Sequence, residues 1–154
     1  MKKVIIIALL GLGAGQVFAQ KIRASEVPQV VKASFAKAYP SVKDVEWEKE
    51  GGAFEAGFDE NEKDVSVVID VTGKIKEVET EIQKSELPKT TRETLAKEYA
   101  GYKIKETAKL LASGVTTFEA EVEKGEKSYE LIFDTSGKLL KKTEIKEKEK
   151  EEDK

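Results

Sequence analysis

Histidine and cysteine are both absent from this chain, and methionine and tryptophan occur once each. Without histidine it has no side chain that titrates unperturbed near neutral pH and no imidazole to bind a metal. Without cysteine there is no thiol nucleophile, no disulfide and none of the standard zinc sites. Serine hydrolysis of the Ser-His-Asp type goes with them, and its lysine-activated variant is not expected either. Glycine-rich phosphate loops are missing too. Gly11, Gly13 and Gly15 fall within the first nineteen residues, and Gly51 with Gly52 separates two short apolar stretches. No cofactor is expected from what remains.

Charge is what the chain has in quantity. Its 154 residues are 39% hydrophobic and 37% charged, the composition of a small folded protein with one modest core or two very small ones. Residues 1–19 stand apart: Lys2 and Lys3, an apolar run from Val4 to Leu12, then Val17, Phe18 and Ala19 before Gln20. That is the pattern of a secretory signal peptide cut after Ala19. The apolar run is shorter than the ~20 residues a spanning helix needs, so no stable membrane insertion is expected after cleavage. The expected location is the periplasm or the medium. Without Lys2 and Lys3 the 27 basic residues fall to 25 against 30 acidic, a net charge of −5. An acidic balance argues against nucleic acid, whose binding relies on clustered Lys and Arg, and against anionic lipid surfaces.

The remainder is built twice from one pattern. Ser25 to Tyr39, SEVPQVVKASFAKAY, returns sixty residues later as Ser85 to Tyr99, SELPKTTRETLAKEY. Pro28 and Pro88 suit a first helical turn and disfavour helix before them, so each segment is expected to start a helix there. Val27, Val31, Phe35 and Tyr39 recur every fourth residue and make one apolar stripe. In the second copy Leu87, Leu95 and Tyr99 keep it, while Thr91 weakens it, so the second helix is expected to be the less buried.

Beyond each helix the period becomes two. Val45 and Trp47 alternate with Glu46 and Glu48, and Gly51-Gly52 marks a turn. Phe54, Ala56 and Phe58 form a second strand, Asp59 to Lys63 a polar loop, and Val65, Val67, Ile69 and Val71 a third. Asp70-Val71-Thr72-Gly73 forms a turn into a fourth strand running towards Ile82. The second copy follows at an offset of sixty-four, with about four residues added near Leu110 to Gly114. Phe118, Ala120 and Val122 then match Phe54, Ala56 and Phe58, and Tyr129, Leu131 and Phe133 match Val65, Val67 and Ile69. Asp134 to Lys138 repeats the turn. Residues 146–154, KEKEKEEDK, contain no apolar side chain and are expected to be a disordered charged tail.

The expected fold is therefore α+β, a tandem duplication of a helix followed by an antiparallel four-stranded sheet. The repeats span 25–82 and 85–145, joined edge to edge or packed as a pair. The Pro-led helix ending in tyrosine, Tyr39-Pro40 in the first copy, the Val45-Glu46-Trp47 strand, the Phe54-Glu55-Ala56 strand and the Asp-x-x-Gly-Lys turns carry a resemblance. Behind a signal peptide, this tandem pattern resembles the exported PepSY-like proteins, also described as β-lactamase-inhibitor-like. The resemblance covers Val27 to about Ile145. It implies a β-lactamase-inhibitor-protein-like fold and a non-enzymatic role in binding a protein or peptide. The absence of cysteine departs from the true β-lactamase inhibitor proteins, which carry disulfides, and no inhibitory loop can be matched residue by residue.

Among single residues, Trp47 is in phase with Val45 and is expected in the core rather than on a partner. Asp70 and Asp134 would suit calcium, but their loops lack alternating acidic ligands. Carboxylate pairs fit for a glycosidase arise by chance among 30 acidic residues. The sheet face turned away from the helices is the candidate binding face. Alternation puts Glu55, Ser66 and Val68 there in the first copy, and Glu119, Glu121, Glu130 and Ile132 in the second. Val68 and Ile132 are expected to be exposed apolar centres among carboxylates, suited to a basic protein or peptide. An ordinary solvated antiparallel face would show the same alternation. A carrier or sensor of a small ligand or cation is the alternative role.

Overall fold

The computed structural model describes residues 20–145. The expected signal peptide and charged tail lie outside them. The element order is β1 (Gln20–Ile22), α1 (Gln29–Ala38), β2 (Glu46–Glu50), β3 (Ala53–Glu60), β4 (Lys63–Asp70), β5 (Ile75–Glu81), α2 (Lys89–Glu98), β6 (Lys103–Ala112), β7 (Val115–Lys124), β8 (Lys127–Phe133) and β9 (Leu139–Ile145).

Both helices begin as the prolines require, with Pro28 and Pro88 in extended conformation just ahead of the first turn. The repeated Ser-Glu-Val/Leu-Pro string has a local cause. The Glu26 carboxylate accepts from the backbone N–H of Arg23 at 2.9 Å, and Glu86 does the same for Gln83 at 2.8 Å. Each glutamate closes the turn that feeds its helix and leaves Val27 or Leu87 buried beneath it.

The strands correct the expected fold. Among the described residues they form one nine-stranded sheet in simple chain order, from β1 to β9, rather than a tandem of separate four-stranded sheets. β1, too short and polar to signal itself, pairs antiparallel with β2 ahead of the first copy's strands. Two separate sheets would have four edges of unpaired N–H and C=O groups, and one sheet in this order has two, β1 and β9. At the start of the second copy the Ile82 N–H donates to the Thr107 carbonyl at 2.9 Å, and the Thr107 hydroxyl donates to the Ile82 carbonyl at 2.6 Å.

By packing, the chain divides into two compact units. One takes the residues through Thr80 with Leu111–Val115, and the other Glu81–Leu110 with the residues from Thr116 onward. In the first, α1 lays Val31 and Phe35 on Trp47, Phe54, Ala56, Phe58, Val65, Val67 and Ile69. Phe35 is the centre of an aromatic cluster, stacked on Tyr39 at 5.3 Å between ring centroids and edge-on to Trp47 at 5.5 Å and Phe58 at 5.3 Å. In the second, Leu87 and Leu95 pack on Ala120, Val122, Leu131 and Phe133. Three tyrosines surround that core. Tyr102 lies 5.6 Å from Tyr99 and 6.2 Å from Tyr129, and the Lys142 ammonium sits 3.9 Å from the centre of the Tyr129 ring.

Two local expectations change. Asp59 to Lys63 is not a loop: β3 and β4 run to a two-residue turn at Asn61 and Glu62, both with positive φ, the requirement of a type I′ hairpin. The second helix is not the less buried at its stripe, where Thr91 is fully inaccessible. The Thr91 hydroxyl nonetheless has no hydrogen-bond partner among the described residues. The stretch expected to carry about four added residues, near Leu110 to Gly114, lies at the end of β6 and in the turn of the β6–β7 hairpin at Ser113 and Gly114.

Candidate binding face

In the first unit the helix covers one side of the strands, and the cross-strand register defines the other. Glu48 of β2 stands opposite Glu55 of β3, Glu55 opposite Val68 of β4, and Val68 opposite Glu77 of β5. In the next line Gly57 faces Ser66 and Ser66 faces Glu79. Two glutamates directly opposed across an antiparallel pair repel, so the Glu48–Glu55 register is tolerated against its own electrostatics. Lys21 of β1 is opposite Glu48, and its ammonium lies 3.4 Å from the Glu46 carboxylate in an exposed ion pair.

This face is packed rather than solvated. Val68 is 2% exposed and Glu55 9%, with Ser66, Glu77 and Glu79 also buried, whereas Glu48 and Glu50 at the rim are half-buried. The Ser66 hydroxyl donates to Glu55 Oε1 at 2.6 Å. Burial pushes the Glu55 carboxyl up to about 7, with the Ser66 hydrogen bond opposing the rise and Glu48, Glu50 and Glu77 adding to it. Glu50 is also raised, by burial and then by Glu48.

The equivalent face of the second unit has a different composition. Glu119 is opposite Ile132, and Ile132 is opposite Lys141; Glu121 is opposite Glu130, and Glu130 is opposite Thr143. Ile132 forms a small buried apolar cluster with Ala108 and Leu110 of β6. Glu130 is buried, while Glu119 and Glu121 are half-buried. Nearby, Glu123 is bound by the Lys105 ammonium at 2.9 Å, and that hydrogen bond holds its carboxyl below the ordinary value.

Register sets Glu55 beside Val68 in the first unit, and Glu119 beside Ile132 and Glu121 beside Glu130 in the second. The exposure expected of Val68 and Ile132 is corrected: both are buried, Ile132 at 7% exposure. Each has long side chains in register on both sides, Glu55 and Glu77 for Val68, Glu119 and Lys141 for Ile132. Glu48 and Glu50, half-buried at the rim of the same face, were missed. The alternation of Glu46, Glu48 and Glu50 about Trp47 was their signal, since a tryptophan facing the helix forces its neighbours to the other side.

The remaining candidates resolve locally. Trp47 is buried against Phe35, as a core residue. Asp70 Oδ1 accepts from the backbone N–H groups of Thr72 and Lys74, and Asp134 Oδ1 from those of Ser136 and Lys138. Each carboxylate therefore ties its own turn, and hydroxyl and backbone donors hold both below the ordinary value. Among the described residues no group of three or more carboxylates is arranged to hold a metal ion. Contrary to expectation, the spacing of a lysine-activated serine does occur, in Ser34-Phe35-Ala36-Lys37. Ser34 lies against the Gly73 turn and Lys37 is an exposed residue in the last turn of α1, so the string serves the helix–turn contact.

Neither a protein-family model nor a curated protein matches the chain. Its fold is shared by solved structures. A DUF2874 family protein of Bacteroides uniformis is similar with a TM-score of 0.72 and 21% identity, over 76% of this chain and 88% of its own. A protein of Bacteroides eggerthii with a provisional periplasmic description gives a TM-score of 0.74 at 18% identity, over 77% of this chain and 89% of its own. A BLIP-like protein of Bacteroides fragilis gives 0.67 at 22%, over 80% and 89%. At these identities the likeness defines the class by fold, a BLIP-like sheet with two helices.

Proposed function

We propose that this chain is an exported, non-catalytic binding protein of the PepSY-like, β-lactamase-inhibitor-like kind. It captures a protein or peptide partner on the sheet surface turned away from its helices. The observation that carries this reading is the line Glu48–Glu55–Val68–Glu77, in which carboxylates are crowded in register around a buried apolar residue. Sites that trade stability for charge crowding are more often functional than structural. The description of one fold neighbour as BLIP-like adds support for protein binding, and the provisional periplasmic description of another supports an exported location.

Site-directed photo-crosslinking in the producing cell tests the reading. A crosslinker at Glu48 or Glu50, half-buried on the sheet side of the first unit, should yield a discrete protein adduct. One at Ala36 or Glu93, exposed on the helices, should not. Adducts from the helix positions alone would reject the face.

A further inference from the structure

The first unit's face differs from an ordinary acidic surface in one respect: a buried carboxyl, Glu55, stands in register with the half-buried Glu48, with the half-buried Glu50 on the same strand. Glu55 is held by the Ser66 hydroxyl at 2.6 Å and lies opposite Glu48 across the β2–β3 pair. The charged groups around it are Glu48 and Glu50 from β2, with Lys21 of β1 beyond Glu48, and Glu77 and Glu79 from β5. β3 itself adds Asp59 and β4 adds Asp64, which face each other at the far end of their hairpin. Of these groups Glu48, Glu50 and Glu77 each disfavour the charged form of Glu55. A guanidinium or ammonium group brought to the rim favours the ionised form of the two raised carboxyls, Glu50 and Glu55.

We propose that this face takes an arginine- or lysine-bearing peptide segment of the partner in exchange for the proton on Glu55, which passes to solvent. Capture therefore tightens as pH rises. The inference rests on the binding reading above and specifies both the chemistry of the partner and its regulation. The occupant is committed by charge: an acidic segment would add to the repulsion already present between Glu48 and Glu55, and a neutral one would leave it unrelieved. Because Glu55 titrates near pH 7, its ionised fraction rises about tenfold between pH 6 and pH 8, and the association constant should follow.

The test is calorimetric titration of the full chain with a synthetic octapeptide of alternating arginine and glycine, at constant ionic strength. It is run at pH 6 and pH 8, each in two buffers of different ionisation enthalpy. The expected result is about tenfold tighter binding at pH 8, with close to one proton released per peptide at pH 6. Glu55→Gln, which keeps the shape and the Ser66 contact, should bind with little pH dependence and no proton release. Ser66→Ala removes the hydrogen bond that lowers the Glu55 value, so it should move the midpoint of the pH profile upward, a change that loss of packing alone would not produce. Equal affinity at both pH values, or unchanged proton release in Glu55→Gln, overturns the exchange. Absence of binding at either pH overturns the cationic occupant. In both cases crosslinked adducts at Glu48 would leave the binding face standing, and only their absence as well removes that reading.

Discussion

The two units share a plan on their helix side and part company on the other. In each, a Pro-led helix rests on the inner rows of its strands, and an Asp-x-x-Gly-Lys turn closes against it. In the first unit the far side is carboxylate upon carboxylate, with Val68 enclosed between Glu55 and Glu77. In the second the same line reads Glu119, Ile132, Lys141, and Glu123 is neutralised by Lys105. One opposed carboxylate pair remains in the second unit, Glu121 against Glu130, but Lys141 lies opposite Ile132 there and Lys105 pairs with Glu123.

The comparison can be broken first at the turns. Gly73 and Gly137 both have positive φ, +86° and +84°. A methyl group at Gly137 would meet the Thr90 backbone carbon at 2.6 Å and the Thr91 nitrogen at 2.8 Å, neither of which can rotate away. At Gly73 it would meet the Ser34 hydroxyl at 2.8 Å, Val30 Cγ2 at 3.0 Å and the Val30 carbonyl at 3.1 Å. Gly137→Ala should cost about 4 kcal/mol and Gly73→Ala about 2, read from urea unfolding midpoints. Equal costs would mean the two turns dock alike.

The next largest effect is on pH. Glu55 has a folded value raised to about 7 from 4.5, so the folded state holds the proton more tightly than the unfolded chain. Its contribution favours folding at low pH and is lost as pH rises from about 4.5 to 7, by at most about 3 kcal/mol. Glu55→Gln should flatten the stability profile across that window and make the protein more stable than the parent at pH 8. A Glu55→Gln variant less stable than the parent at pH 8 would contradict the assignment.

The smallest effect separates the helices. Thr91 occupies the position that Val31 fills in α1, with a fully buried hydroxyl lacking a hydrogen-bond partner among the described residues. Thr91→Val should stabilise by about 1 kcal/mol, and Val31→Thr should destabilise by a similar or larger amount, both by thermal melting.

Much of the helix side was legible in the sequence because its signals are local. Pro28 and Pro88 start helices whatever surrounds them, and Asp70 and Asp134 build their turns from their own neighbours. The turn at Asn61-Glu62 was not legible, since neither residue is glycine and Glu62 takes positive φ only because the hairpin demands it. β1 was missed because three residues carry no period. The union of the strands into one sheet depends on backbone pairing, which side-chain alternation does not encode. For the same reason alternation missed the burial of Glu55, Val68 and Ile132, which follows from the side chains that register sets beside them.

The central claim is that the acidic face of the first unit, and not its counterpart, holds a cationic partner. Its most direct measurement is the affinity of the arginine–glycine octapeptide for two charge reversals of similar exposure, Glu48→Lys and Glu121→Lys, at pH 8. The first should abolish binding and the second should leave it within about twofold of the parent, as expected for an interaction governed by local complementarity. Equal losses from both reversals, or a larger loss from Glu121→Lys, would contradict it.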